Sequence, residues 1–547
     1  MVDRASGASI DSTSETQGST HATRDIFQQE GTKAQSLSDN GVRYEELNFQ
    51  TQIPDLSSGV DNRTDVVLPN LRKYDSPFHW SSTRKNICLF LSCAATFSSA
   101  YSVGSYSIAS NQIQPQFDVS DELFALGITT WCVGFACSPM FLAPLSELQG
   151  RRPVFLLSGL LFLIAQIGCA TTTSFAGMLV ARFFVGAGAS TFATMVGGVI
   201  SDVYHADDRN TPMAIYSAAA LSGTGAGPLV CGFITTRISW RWVFWHQVIF
   251  LGTVMVAMVF LFKETRGSVL LARKVTAINT YLNRVQEQNE KGVELSGLPV
   301  VSNVRYIGPS SVSNASLGRL LYLSLTTPFK LLFTESVVFW FSMWASFAWA
   351  VLYLQLNVVP LVFRTNHNFD VEQNGLVFIS LVVGVLLGGI LAIYQEKVTR
   401  KYYPKLFQEP EGRLYFACLE AAFLPIGLFW FGWTTFSSIH WIVPAIALVF
   451  AMLGIFSIYL AVFNYLADVY HRYASSALAC QSFCRNMLAA VFPLFSQAMF
   501  RRLSFPGAGS LLGAIAALLT AVPWVLVLYG PRIRARSKVA SEVKSQS

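Results

Sequence analysis

The amino-acid sequence predicts an all-α membrane protein whose twelve transmembrane helices fall into two pseudo-symmetric six-helix bundles, and three observations predict it. First, 52% of the 547 residues are hydrophobic and 13% charged, with a mean hydropathy of +0.43, whereas soluble domains carry about 25% charged residues. Second, the apolar residues gather into runs long enough to cross a hydrocarbon core of about 30 Å. Third, the word DVYH occurs at Asp202–His205 and again at Asp468–His471, each time after an apolar run, the fourth and the tenth. The offset from Asp202 to Asp468, 266 residues, carries the fourth run onto the fourth run of a second half, as parallel repeats do.

Taken in order, residues 1–80 are rich in Ser, Thr, Gln, Asp and Gly and cannot bury enough apolar area to offset ordering entropy, so a disordered tail is expected there. Arg84 and Lys85 then precede the first span, about 86–109, which exits through the acidic Asp118, Asp121 and Glu122. That charge asymmetry puts the amino terminus in the cytoplasm. Five more spans are expected at about 123–143, 154–173, 175–200, 212–235 and 242–262, which makes 81–263 the first bundle. The polar stretch 264–330 is too long for an ordinary connection and reads as a central cytoplasmic loop. Six further spans fit at about 335–362, 375–394, 414–434, 441–466, 476–499 and 508–530, giving a second bundle over 331–530 and a cytoplasmic tail over 531–547. The outward turns are poor in Lys and Arg except for Arg237, Arg364, Arg501 and Arg502.

The charged turn APLSELQGRRPV, Ala143–Val154, joins the second and third spans. Gly150 supplies its tight backbone, Arg151 and Arg152 hold it at the cytoplasmic face, and Glu147 is the expected partner of those cations. Glu147, Arg151, Arg152, Asp202 and Arg209 together can form a charged latch that closes the inner ends of the spans in one conformation and parts in the other; the competing reading is a set of solvated end charges. Gly223, Gly225, Gly227, Pro228 and Gly232 fall within one span, where small residues admit close helix approach and proline bends the helix. Arg182, Arg485 and Glu420 lie inside spans, where a charge is costly and so has a partner or a task. Polar and aromatic residues at Tyr106, Tyr353, Gln355, Asn464 and Asn486 are candidates for a cavity between the halves, and as a set they suit an amphipathic organic molecule.

The net charge of +7 is spread over loops rather than one face, which argues against nucleic acid. The nine cysteines lie in or beside apolar runs and read as small hydrophobes, not metal ligands or disulfides. No Walker loop, GxSxG triad or HExxH motif is present, so neither an enzyme nor a cofactor is expected.

The quoted turn, together with ARFFVGAGAS around Arg182, GTGAGPLVCGFI (Gly223–Ile234), SWRWVFW, NYLADVYHRYASSALACQSFCRN and VFPLFSQAMF, resembles the major facilitator superfamily and more narrowly its fungal twelve-span drug:proton antiporters. The resemblance covers about 80–530. Ala143 stands where that family usually has Gly, and Val185 where it has Gln. The resemblance implies a monomeric fungal plasma-membrane exporter of drugs or secondary metabolites, with Arg182 linked to proton handling and the Gly223–Gly232 segment to antiport. An uptake symporter and a non-transporting receptor on the same fold remain alternatives.

Overall fold

The computed structural model describes residues 43–49, 51, 70–205, 208–290, 304–308, 317–402, 410–470 and 474–537. Most of the proposed tail 1–80, much of the central loop and the last ten residues lie outside them, as does His471 of the second DVYH word. The chain divides into two compact units, Met1–Asp75 with Leu271–Asn314, and Ser76–Leu270 with Ala315–Ser547.

The larger unit carries the spans: α1 Ser82–Ser107, α2 Asp121–Gln149, α3 Arg151–Thr171, α4 Phe175–Val203, α5 Asn210–Arg237, α6 Trp242–Leu261, α7 Ser336–His367, α8 Val371–Tyr402, α9 Leu414–Thr434 and α10 Ile442–Tyr470. A further apolar segment, Ser476–Ala535, is 60 residues long; at 1.5 Å per residue it would extend about 90 Å, three times the hydrocarbon core. It turns back at Ser504, whose φ of 59° and ψ of 168° are not helical, and so supplies two spans, α11 (474–503) and α12 (505–536). The expected turn between the last two spans is thus a single kinked residue rather than a loop.

The packing repeats with an offset of six helices. Helix α1 packs on α5 and α7 on α11, α2 on α4 and α8 on α10, α3 on α6 and α9 on α12. The bundles meet along two equivalent seams, α5 on α8 and α2 on α11. Thr129 Oγ1 of α2 donates to the Ala490 carbonyl of α11 at 2.7 Å across the second seam. Large apolar side chains left uncovered belong mostly to outer helices, for example Phe260 on α6 and Leu518 on α12, each 75% exposed. Such a surface suits lipid. Asn464 Nδ2 near the end of α10 donates to Asn210 Oδ1 at the start of α5 at 3.2 Å, so both DVY segments lie at one face of the helical body, here termed the basic face.

The smaller unit adds one two-stranded sheet to the all-α membrane fold. Strand β1, Arg43–Glu46, pairs in parallel with β2, Val304–Ile307. The stretch read as a loop also holds the helices Gly267–Glu290 and Leu317–Thr334. On the former, Leu271, Val275, Ile278, Leu282 and Val285 recur at helical spacing and bury against Leu47 and Tyr306, as an amphipathic stripe should. Asn279 fixes the register: its amide accepts from Tyr306 N at 3.0 Å and donates to Tyr306 O at 2.7 Å.

Candidate functional site

At the basic face only Gly150 separates α2 from α3. Its φ of 101° is a backbone that glycine adopts without penalty, and a Cβ there would strike the Glu264 carboxylate. The first amides of α3 have no intrahelical acceptor. Glu264 supplies one: Oε1 accepts from Arg151 N at 2.8 Å and Oε2 from Arg152 N at 3.2 Å, an anion at the positive end of a helix. Oε1 also accepts from Thr265 N and Arg266 N. The Arg151 side chain is buried; Nε donates to Asp202 Oδ2 at 3.2 Å and Nη1 to Ser146 Oγ at 2.7 Å. Arg266 Nη1 reaches the other Asp202 oxygen at 3.3 Å. The Arg152 guanidinium donates to the Val259 carbonyl at 2.7 Å, and Arg209 to the carbonyls of Ser201 and Tyr204.

One expectation changes. Glu147 is not the partner of these arginines and forms no ion pair among the described residues; Asp202 and Glu264 take that place. The cluster joins the end of α2 to α3, α4 and the segment after α6. The bridges at this face are Asn210 with Asn464, Thr211 with Glu396 at 3.4 Å, and Phe463 packed against Gly197.

Deeper in the membrane, Arg182 is fully buried on α4. Its Nε donates to Gly127 O at 3.1 Å and Nη1 to Ser102 O at 2.8 Å, while Nη2 has no partner. The guanidinium lies 4.5 Å from the centre of the Tyr106 ring, which itself stacks on Phe124 at 4.4 Å. Trp131 donates to Ser102 Oγ at 3.1 Å and faces Tyr353 of α7 at 6.3 Å. On the second bundle Arg485 of α11 lies 4.2 Å from the Trp349 ring centre and 5.0 Å from that of Tyr459. Among the described residues Arg485 Nε and the neighbouring Asn486 Oδ1 of α11 have no hydrogen-bond partner, nor on α7 do the two amide atoms of Gln355 and the indole nitrogens of Trp344 and Trp349. Buried polar atoms are nearly always satisfied, which makes these side chains of α7 and α11 the candidate binding residues.

Helix α5 presents its small residues to two neighbours. A Cβ on Gly223 or Gly227 would lie 2.5 Å from Phe97 O or 2.6 Å from Ser105 N, both on α1. Gly225 and Gly232 instead face α8, near Leu381 and Gly375, and the Pro228 carbonyl also meets Gly375. Glu420 on α9 is buried and hydrogen-bonded by the neutral amide of Gln395. It lines a small cavity of about 80 Å³ with Ser457, Thr399, Asn210 and Asn464. Asn464 therefore belongs to the junction at the basic face rather than to the central aromatic site, which corrects its expected place.

The opposite face holds a vestibule of about 440 Å³ between α1, α2, α7 and α11, lined by Asn111, Asp121, Glu122, Asn357, Arg364 and Arg501 among others. Three of the four arginines that break the charge rule cross between the bundles here. Arg501 pairs with Asp121 at 3.4 Å, Arg237 with Glu372 at 3.2 Å, and Arg364 donates to Asn111 Oδ1 at 3.4 Å.

A family model described as Major Facilitator Superfamily matches residues 92–493. The chain belongs to that superfamily. It is 35% identical over 415 residues to the efflux pump atB of Aspergillus terreus, covering 74% of this chain and 82% of that one. It is 30% identical over 516 residues to the multidrug transporter FLR2 of Candida glabrata, covering 90% and 83%. Among solved structures, a POT family transporter in complex with 5-aminolevulinic acid superposes with a TM-score of 0.59 at 12% identity, covering 85% and 100%. The xylose transporter XylE from E. coli gives 0.57 at 14% identity, covering 81% and 98%. These two share the fold. Sequence reasoning had missed Glu264, which lies 113 residues from Arg151 and just past an apolar run, where a charge reads as an ordinary boundary.

Proposed function

We propose that this chain is a proton-coupled secondary transporter of a fungal plasma membrane, exporting small amphipathic organic compounds, drugs or secondary metabolites, by alternating access. The observation that carries the reading is the buried aromatic and unsatisfied polar site between two equivalent bundles, built by Trp131, Trp349, Tyr353, Gln355, Tyr459, Arg485 and Asn486. One chain supplies both walls, so a monomer suffices. The basic face with both termini is cytoplasmic by the charge rule, and the vestibule is then extracellular. Glu420 is the proposed proton carrier: its partner is an amide rather than a cation, so protonation breaks no ion pair. Arg182 holds the carbonyls of α1 and α2 in register beside the site.

The Arg151, Asp202 and Glu264 cluster acts as the proposed latch by keeping the cytoplasmic ends of α3 and α4 in one arrangement. Purified protein in proteoliposomes, acidic on the side of the extracellular face, tests the whole reading. Wild-type chain should drive labelled cargo towards the acidic side, Glu420→Gln should lose the gradient-driven component but keep cargo exchange, and Arg151→Ala should reach the membrane yet transport at least tenfold more slowly. Equal flux with and without the gradient would sink the coupling.

A further inference from the structure

We infer that the cargo held in the central site is an organic anion with a flat apolar body, a carboxylate or sulfonate on an aromatic frame, and that Arg485 is its charge-binding residue. The inference rests on the exporter reading above and narrows it to a substrate class. Arg182 and Arg485 place two buried guanidinium groups on α4 and α11, and neither meets a carboxylate among the described residues. The Arg182 guanidinium lies over the Tyr106 ring at 4.5 Å. The Tyr353 ring lies 6.3 Å from that of Trp131 and 6.2 Å from that of Trp349, so it links the aromatic groups beside the two arginines.

The buried carboxylates among the described residues are engaged elsewhere. Asp202 pairs with Arg151 and Arg266, Glu411 with Arg534, Glu264 with the start of α3, Glu335 with Tyr470 and Ser537, and Glu420 with Gln395. A guanidinium buried without an anion is costly, and the two are not equally provided for. Arg182 has two backbone carbonyls. Arg485 has, among the described residues, the faces of Trp349 and Tyr459 and an unpartnered Nε. Ring faces offset part of the charge but offer no acceptor for the N–H groups, whereas a carboxylate meets a guanidinium with two parallel hydrogen bonds. Trp131, Trp349, Tyr353 and Tyr459 then provide flat apolar walls, Gln355 supplies a free donor and a free acceptor, and Asn486 a free acceptor. Two fixed positive charges also repel cationic drugs. Moving an anion outward against protons moving inward carries net positive charge inward, so an inside-negative membrane potential drives the exchange.

The test uses 2-naphthoate and its neutral isostere 2-naphthamide, at a pH where the acid is ionised, with full-length protein in nanodiscs and binding read by quenching of tryptophan fluorescence. Wild-type protein should bind the acid at least tenfold more tightly than the amide. Arg485→Gln should lose that preference, acid and amide then binding within about twofold of each other, and Arg485→Lys should retain part of it. An amide bound as well as the acid, or a preference that survives Arg485→Gln, overturns the inference, as does binding of neither. Flux separates the two readings: in proteoliposomes, export of the amide without the acid refutes the anion and leaves the exporter standing. Flux of neither compound, with no dissipation of a pH gradient by any cargo tried, refutes the exporter itself.

Discussion

Glu264 does more at the basic face than any residue of the motif around it. One carboxylate accepts four backbone N–H groups, from Arg151, Arg152, Thr265 and Arg266, and sits where an added Cβ on Gly150 would go. An amide of the same shape offers one acceptor and turns an NH2 group toward donors. Glu264→Gln should therefore cost about 2 kcal/mol, the scale of leaving buried donors unpaired, seen as a lower melting temperature in detergent. Gly150→Ala should add strain from the positive φ to the clash and destabilise further. The Arg151–Asp202 pair behaves differently, because Asp202 keeps Arg266 when Arg151 is removed. Arg151→Ala should thus lower stability by less than the 3–5 kcal/mol typical of breaking a buried pair, and a melt showing the full loss would mean Arg266 gives no support. The motif made Arg151 legible in the sequence. Its true partners were not legible, because contacts 51 and 113 residues away leave no local periodicity.

Helix α5 shows what periodicity does give. At about 100° per residue, Gly223 and Gly227 share one side, Gly225 and Gly232 another, and the two sides point roughly opposite ways. One side holds the first bundle together against α1, and the other forms the seam with α8. The spacing therefore separates a folding surface from a moving one. Gly227→Val, with a Cβ 2.6 Å from Ser105 N, should lower the melting temperature strongly, as overpacking costs about 1–3 kcal/mol. Gly232→Ala would approach Val371 O at 3.1 Å and Gly375 Cα at 3.2 Å, contacts that a small shift of α8 relieves. It should slow transport severalfold with little change in melting. Equal thermal losses for both variants would refute the division. Depth within a span was harder to read than side: Asn464 lies six residues before the end of α10, about 9 Å from it, and that places it at the junction with Asn210 rather than beside Arg485.

Across the whole molecule, hydropathy and the repeated DVY word carried the twelve spans and their pairing, because lipid forces every span to be apolar over its length. The ordered smaller unit escaped because its strands are four residues each within polar sequence. The conformation is closed at the basic face by hydrogen-bonded and aromatic contacts between α4, α5, α8 and α10, and bridged at the vestibule face by pairs that are largely exposed, with Arg237 70% and Arg501 66% accessible. Exposed pairs contribute about 0–1 kcal/mol each, so the vestibule face can open at little cost, and the basic face is the one whose opening requires a compensating gain. Alternating access needs that second opening. Joining Asn210→Cys to Asn464→Cys with a short bifunctional thiol reagent should stop transport, and reduction of a cleavable linker should restore it, while either single variant transports normally. Binding of cargo from the vestibule side should persist in the joined protein, since the vestibule is already formed. Continued turnover with the two asparagine positions covalently tied would mean that cargo crosses without the bundles parting at the basic face, and the rocking scheme would have to be abandoned.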